Sequence, residues 1–251
     1  MKVLALDTTT RAGSVALVED DRVIAERAGD PLKTHAERLP REIDELLEDC
    51  GVGLADVELY AVASGPGSFT GLRVGIATMQ GLAFVRRRQI APISALEALA
   101  HVASLGTDDE GALVAAWMDA HRRDVFSALY RVASGPLFDP GRLVEVEGPQ
   151  VSDPAATLER WDAVVREASV TFIGDGAERW EEAIRRTHSA ARIVAHPLLA
   201  GAIGRLAVSA AGGRMDPAAV RPLYVRRPDA EIERERRAVT LNDARERPLT
   251  P

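Results

Sequence analysis

Glycine recurs in this chain where a helix should run, and that narrows the fold more than any other feature. Gly65-Pro-Gly-Ser-Phe-Thr-Gly71 passes without a break into Leu72-Arg-Val-Gly-Ile-Ala-Thr-Met-Gln-Gly-Leu82, behind an apolar run at 59–63 that reads as a buried strand. A helical glycine costs about 0.8–1 kcal/mol relative to alanine, so Gly71, Gly75 and Gly81 together forfeit roughly 2.5–3 kcal/mol. Something must offset that loss. Residues four apart share a helix face, so Gly67, Gly71 and Gly75 make a smooth stripe that another backbone can approach closely. The segment is either a phosphate-cradling helix start or a helix built to pack against a partner.

The phosphate reading is the weaker of the two. No lysine follows the second glycine, so the P-loop pattern fails. The dinucleotide fingerprint fails as well, because its sixth position is Thr70. A helix start rich in free amides still attracts anions, but Gly71 and Gly75 lie beyond the first turn, where they serve packing.

The 251 residues, 46% hydrophobic and 27% charged, suit one large or two small globular domains. A single cysteine, Cys50, rules out an intramolecular disulfide and fits a reducing compartment. No apolar run reaches transmembrane length, and the stretch from Met1 to Asp7 is too short for a signal peptide. The expectation is a cytoplasmic protein without a membrane partner. A net charge of −7 argues against this chain alone gripping nucleic acid.

Periodicity predicts strands at 2–6, 14–18 and 23–25, a helix at 36–50, a strand at 57–63, the glycine-bearing helix at 68–86, a short strand at 90–93 and a helix at 94–104. Ser94 and Glu97 have capping-box spacing. Residues 106–111 read as a linker, after which the pattern restarts with strands at 112–118, 125–132 and 143–146. A helix near 154–168, a strand at 170–173 and helices at 175–188 and 197–211 follow. Leu4-Ala-Leu-Asp7 and Ala116-Trp-Met-Asp119 each end a strand in aspartate before a polar turn and an apolar strand. That parallel predicts an internal duplication, with lobes at 1–105 and 111–225 and a charged, flexible tail at 226–251.

In a two-lobed protein the turn Asp7-Thr-Thr-Thr-Arg-Ala-Gly-Ser14 could wrap a phosphate while Asp7 organises a hydrated Mg²⁺; the bland alternative is a polar hairpin turn. Asp119 would face Asp7 across a cleft. Gly174-Asp-Gly176 opens a helix and could cradle phosphate likewise. The five histidines form no metal-ligand spacing, and no catalytic triad or nucleophile elbow can be assembled.

With LALDTTT, THAERLPREIDELL, GPGSFTGLRVGIATMQGLA, PISALEALA, DAHRRDVFSALY, FIGDGA and PLYVR, the chain from Met1 to about Arg226 resembles the TsaB family, whose members serve threonylcarbamoylation of adenosine 37 in tRNA. The resemblance implies an α/β fold of the actin/Hsp70-like ATPase superfamily, two ribonuclease-H-like lobes of mixed sheets flanked by helices. It implies a non-catalytic subunit, because the histidine pair that binds metal in the catalytic paralogue is matched here by Ala95 and Leu99. Asp7, Thr8, Thr9, Thr10, Asp119, Gly174 and Gly176 would then be remnants of a nucleotide site, and this chain would need no cofactor, ATP and Mg²⁺ belonging to the complex. The same resemblance assigns a four-helix contact with the TsaD-like catalytic paralogue to Leu39, Ile43, Leu46, Phe69, Leu72, Ile76 and Met79, with Gly71 and Gly75 allowing close approach. A TsaE-like ATPase joins the complex, tRNA is met only through it, and the same helices could form a homodimer in isolation. The competing expectation is an independent Mg-ATP-dependent kinase or ATPase using Asp7, Thr8 and Asp119. A peptidase lacks the residues it would need.

Overall fold

The computed structural model describes residues 1–107, 109–166 and 168–226. Of the tail expected at 226–251, all but Arg226 lies outside the described residues. Two five-stranded sheets carry the fold. The first contains β1 (Lys2–Asp7), β2 (Ser14–Glu19), β3 (Arg22–Ala28), β4 (Leu59–Gly65) and β5 (Ile90–Ser94) in the order β3-β2-β1-β4-β5. The second contains β6 (Leu113–Asp119), β7 (Val125–Val132), β8 (Leu143–Ser152), β9 (Val170–Ile173) and β10 (Arg192–Val194) in the order β10-β9-β6-β7-β8. In each sheet the first three strands form an antiparallel meander and the remaining two add in parallel. The two topologies are the same, so the duplication is real at the level of strand order.

Among the described residues, seven α-helices pack on these sheets. On the outer face of the first lie α1 (His35–Asp49) and α2 (Phe69–Arg86). The start of α1 is fixed by Glu37, whose carboxylate accepts from the Thr34 amide at 2.8 Å and from its hydroxyl at 2.6 Å. Leu39, Ile43, Leu46 and Leu47 then fall on one face and are buried against Leu4, Leu6, Val15 and Leu17. The outer face of the second sheet is covered by α4 (Pro154–Val165), α5 (Asp175–Arg179) and α6 (Glu181–Thr187), around Trp117, Trp161 and Phe172.

Between the sheets run α3 (Ala95–Ser104) and α7 (Ala200–Ser209), and here the lobes trade parts. The α3 helix, from the first half of the chain, packs mainly on β6, β7 and β9; α7, from the second half, packs on β1, β2 and β4. One core joins Val3, Ala5 and Val18 with Leu96, Leu99, Val114, Ala116, Ile203 and Leu206. The boundary expected at 105/111 therefore separates the sheets but not their helices. Each exchanged helix is also capped by the other lobe. The Leu199 and Ala200 amides donate to Ser14 Oγ at 3.1 and 2.9 Å, and the Gly201 amide donates to the Glu26 carboxylate at 2.8 Å. At the C-terminus of α3, Arg142 donates to the Ser104 and Thr107 carbonyls at 3.2 Å each, meeting acceptors the helix leaves open.

His101 lies inside this seam, 1% exposed and stacked on Phe138 at 5.9 Å. Among the described residues neither ring nitrogen is hydrogen-bonded. Burial, and after it the Arg142 charge, pushes the imidazole down to about 4. A histidine depressed below its unfolded value of about 6.5 leaves stability intact above that pH and removes it as the pH falls toward the folded value. The loss approaches about 3 kcal/mol at the acid end. Urea unfolding at pH 7 and pH 4.5 is expected to show this loss, and His101→Leu to escape most of it. An equal acid loss in both proteins would acquit His101.

Candidate functional site

The β1–β2 turn is where sequence and chemistry converge, and it is closed from both sides. Asp7 and Thr8 are 2% and 0% exposed. One oxygen of Asp7 accepts from the Thr9 amide at 2.9 Å and from its hydroxyl at 2.6 Å. Burial pushes the carboxyl above its ordinary range, while those two hydrogen bonds act against the shift.

The glycine stripe supplies one wall. A Cβ on Gly67 would sit 2.7 Å from Thr9 Cα, and one on Gly75 3.0 Å from Thr8 Cγ2 and closer still to its hydroxyl. A Cβ on Gly71 would collide with the Thr8 carbonyl and lie 3.1 Å from the His35 ring. The Ser68 amide donates to the Thr9 carbonyl at 2.8 Å, locking the start of α2 onto the turn. Arg38 supplies the other wall. It is 4% exposed and donates to the Ala12 carbonyl, pairs with Glu42 and meets His35 Nδ1 at 2.6 Å. Burial, then the Arg38 charge, holds the His35 imidazole below its usual range.

Two of the amides that could face a phosphate at this turn are engaged within it. The Thr9 amide is already given to Asp7, and the Gly13 amide donates to Thr10 Oγ1 at 3.1 Å. Asp119 pairs with Arg179 at 2.9 Å, and its own amide donates to Asp175 at 2.9 Å. Gly174 and Gly176 are glycines for packing: added Cβ atoms would meet the Trp117 carbonyl and the Met118 backbone. Thr8 Oγ1, by contrast, is buried without a hydrogen-bond partner among the described residues. Ala95 and Leu99 are fully buried, and among the described residues no cluster of histidine, cysteine, aspartate or glutamate could hold a metal.

The expected partner surface needs correction in its residues. Leu39, Ile43, Leu46, Gly71, Leu72, Gly75, Ile76 and Met79 are all buried within the chain, because the sheet beneath α1 and α2 already takes that face. Phe69 is half-buried, stacked on Tyr224 at 4.9 Å and covered by the Arg73 guanidinium at 3.9 Å. The outward face of α2 presents a different set. Ala77 is exposed, Phe84 and Val85 are 75% and 77% exposed, and a Cβ at Gly81 would meet nothing within 4 Å.

Arg38, Ser14, Glu26, Arg142 and Tyr224 did not stand out in the sequence, since each acts on a partner distant along the chain. Of these, Arg38 and Tyr224 lie in quoted motifs, THAERLPREIDELL and PLYVR.

Two mixed sheets of one topology, flanked by helices, are the actin-like ATPase fold that the resemblance implies. Component A of (R)-2-hydroxyglutaryl-CoA dehydratase from Acidaminococcus fermentans shares that fold, with a TM-score of 0.52 at 13% identity over 84% of this chain and 99% of that one. Residues 30–233 match the family model described as TsaD: tRNA N6-adenosine threonylcarbamoyltransferase. YeaZ from Pseudomonas aeruginosa superposes with a TM-score of 0.70 at 30% identity, covering 89% of this chain and 99% of its own. The tRNA threonylcarbamoyladenosine biosynthesis protein TsaB of Bacillus subtilis is 36% identical over 55% of this chain and 58% of its own length. The chain belongs to the TsaB family. It spans a little over half the length of the curated relatives it matches.

Proposed function

We propose that this chain is the non-catalytic scaffold subunit of the complex that transfers a threonylcarbamoyl group to adenosine 37 of tRNAs, acting by pairing with a TsaD-like catalytic paralogue. The observation that carries this reading is the outward face of α2. It is an unpartnered apolar stripe smoothed by Ala77 and Gly81 and ended by Phe84 and Val85. This helix contains no acidic residue, whereas its neighbour α1 exposes Glu37, Asp44 and Glu48. A paralogue offering the same two helices in reverse order would set basic against acidic.

Two further features support a non-catalytic role. Aliphatic residues stand where the resemblance puts the paralogue's metal ligands, and the Asp7 carboxylate and the Thr9 and Gly13 amides of the β1–β2 turn are engaged within the turn. The second of these also disfavours the independent kinase or ATPase. A TsaE-like ATPase as third partner, tRNA met within the complex, a homodimer in isolation and a cytoplasmic setting belong to the same reading. No helix among the described residues is long and apolar enough to cross a membrane.

Reconstitution with the paralogue and measurement of threonylcarbamoyladenosine in tRNA tests the role. For the surface, Phe84→Asp and Gly81→Leu are each expected to weaken pairing by at least about 30-fold, the effect of losing an interface anchor. Both positions are open, so neither change should destabilise the isolated chain by much, and Gly81→Leu should add a fraction of about 1 kcal/mol through helix propensity. Undiminished pairing in both variants would remove α2 from the interface.

A further inference from the structure

The turn between β6 and β7 occupies the same place in the second repeat as the β1–β2 turn does in the first, yet it is more exposed. The first turn is closed in by the glycines of α2 and by Arg38. In the second, the corresponding glycines at 174 and 176 pack on the end of β6, leaving the tip uncovered. That tip is His121-Arg122-Arg123, exposed at all three positions. Its backbone is left-handed at three consecutive non-glycine residues, with φ of 57°, 52° and 72°.

Such a conformation is unfavourable for L-residues and persists only where its surroundings impose it. Here the imposing groups are visible. Asp119 accepts from the His121 amide at 2.9 Å and is itself held by Arg179. The Asp124 amide donates to the His121 carbonyl at 2.9 Å. Arg226, arriving from the end of the described chain, donates to the Ala120 carbonyl at 2.7 Å and pairs with Asp124, gripping both ends of the turn. Asp119 and Asp124 are thus tied inward, to amides, to Arg179 and Arg226 and, for Asp119, to His121 Nδ1 at 3.4 Å, while Arg123 stands exposed on this support.

We propose that turn 121–123 is a preformed cationic contact for the phosphate backbone of RNA, with Arg123 as its principal charge; this rests on the reading that the chain works on tRNA. A protein partner is disfavoured because no exposed large apolar residue lies in the turn to serve as an anchor. A small anion is disfavoured because such ligands are bound in concave sites, whereas His121, Arg122 and Arg123 are all exposed at the tip of a turn. A polyanion suits a protruding, charge-only tip, since phosphate contacts are electrostatic and independent of sequence. The net charge of −7 does not oppose a local contact of this kind, because it sums over the whole chain.

The test uses an unmodified tRNA transcript and the full chain, alone and paired with the catalytic paralogue, with affinity measured across a salt series. Arg123→Asn removes the charge while keeping a residue that tolerates the left-handed backbone. It is expected to weaken tRNA binding about 5-fold and to lower the slope of log affinity against log salt by about 1, as loss of one phosphate contact requires. Arg123→Lys should retain both. Arg22→Ser, on the edge strand of the other sheet, makes the same charge change and should leave both near wild type. Unchanged affinity and slope in Arg123→Asn would overturn the proposal, as would an equal loss in Arg22→Ser. So would loss of pairing with the paralogue in Arg123→Asn at undiminished tRNA affinity, which would make the turn a protein contact. If wild-type chain fails to pair with the paralogue, the scaffold reading fails instead, and the chain-alone measurements still judge the turn.

Discussion

Gly75→Leu is expected to unfold the isolated chain or destabilise it by more than about 3 kcal/mol, before any partner is considered. Overpacking a closed site usually costs about 1–3 kcal/mol, and more when the neighbour cannot move. Thr8 cannot move easily: it is fully buried, and the adjoining backbone is fixed by Ser68 on one side and Asp7 on the other. The leucine would have to push α2 off the turn, breaking the helix's seat on β4 and β1 as well. Since a domain's whole stability is about 5–15 kcal/mol, such a loss is easily read as a falling urea midpoint. Gly81→Ala is the matched control. It meets open space, so removing a helical glycine there should stabilise the isolated chain by about 0.5–1 kcal/mol. A Gly75→Leu protein with a wild-type midpoint would mean that the stripe does not touch the turn as described.

A fragment ending at residue 106 is expected not to fold as a monomer, although it holds every strand of the first sheet. It would lack α7, and with it the cover over β1, β2 and β4. Leu199, Ile203 and Leu206 are each 1% exposed or less, and burying each contributes about 2 kcal/mol. The fragment would also carry α3 with its main packing face, against β6, β7 and β9, left open. Circular dichroism and gel filtration should show an unfolded or associating species. Adding residues 111–226 in trans should restore structure if the exchanged helices are what is missing. A monomeric, cooperatively melting fragment would show instead that the first sheet is self-sufficient.

Much of this arrangement was legible in the sequence. The buried runs of β1, β4 and β6 and the helical spacing of Leu39, Ile43 and Leu46 are strong local signals, and the aspartate-ended strands at 7 and 119 disclosed the repeat. Local breakers hid other elements. β8 continues through Gly148-Pro149 to Ser152, because an edge strand tolerates proline and a register shift. The single helix expected at 175–188 is split at Trp180, and β10 has only three residues, too few for a periodic signal. The site was legible in its residue types but not in its direction. Small residues at 71 and 75 were correctly taken to mean close approach, yet what approaches is the chain's own Thr8. Gly81, six positions past Gly75 at about 100° per residue, had to face elsewhere. Caps such as Ser14 on Leu199 join positions 185 apart, a distance over which one sequence carries no pattern.

The exchange of helices also bears on how the chain comes to be folded during synthesis. As the polypeptide leaves the ribosome, β1 to β5 precede the helix that roofs them, α7, by about a hundred residues. For the time needed to translate about a hundred further residues, roughly 5–20 s at ordinary elongation rates, the inner face of that sheet has no native cover. Contacts of such long separation form slowly because loop closure must precede them. The nascent first repeat is therefore the stage at which this protein is most exposed to aggregation and most in need of a chaperone.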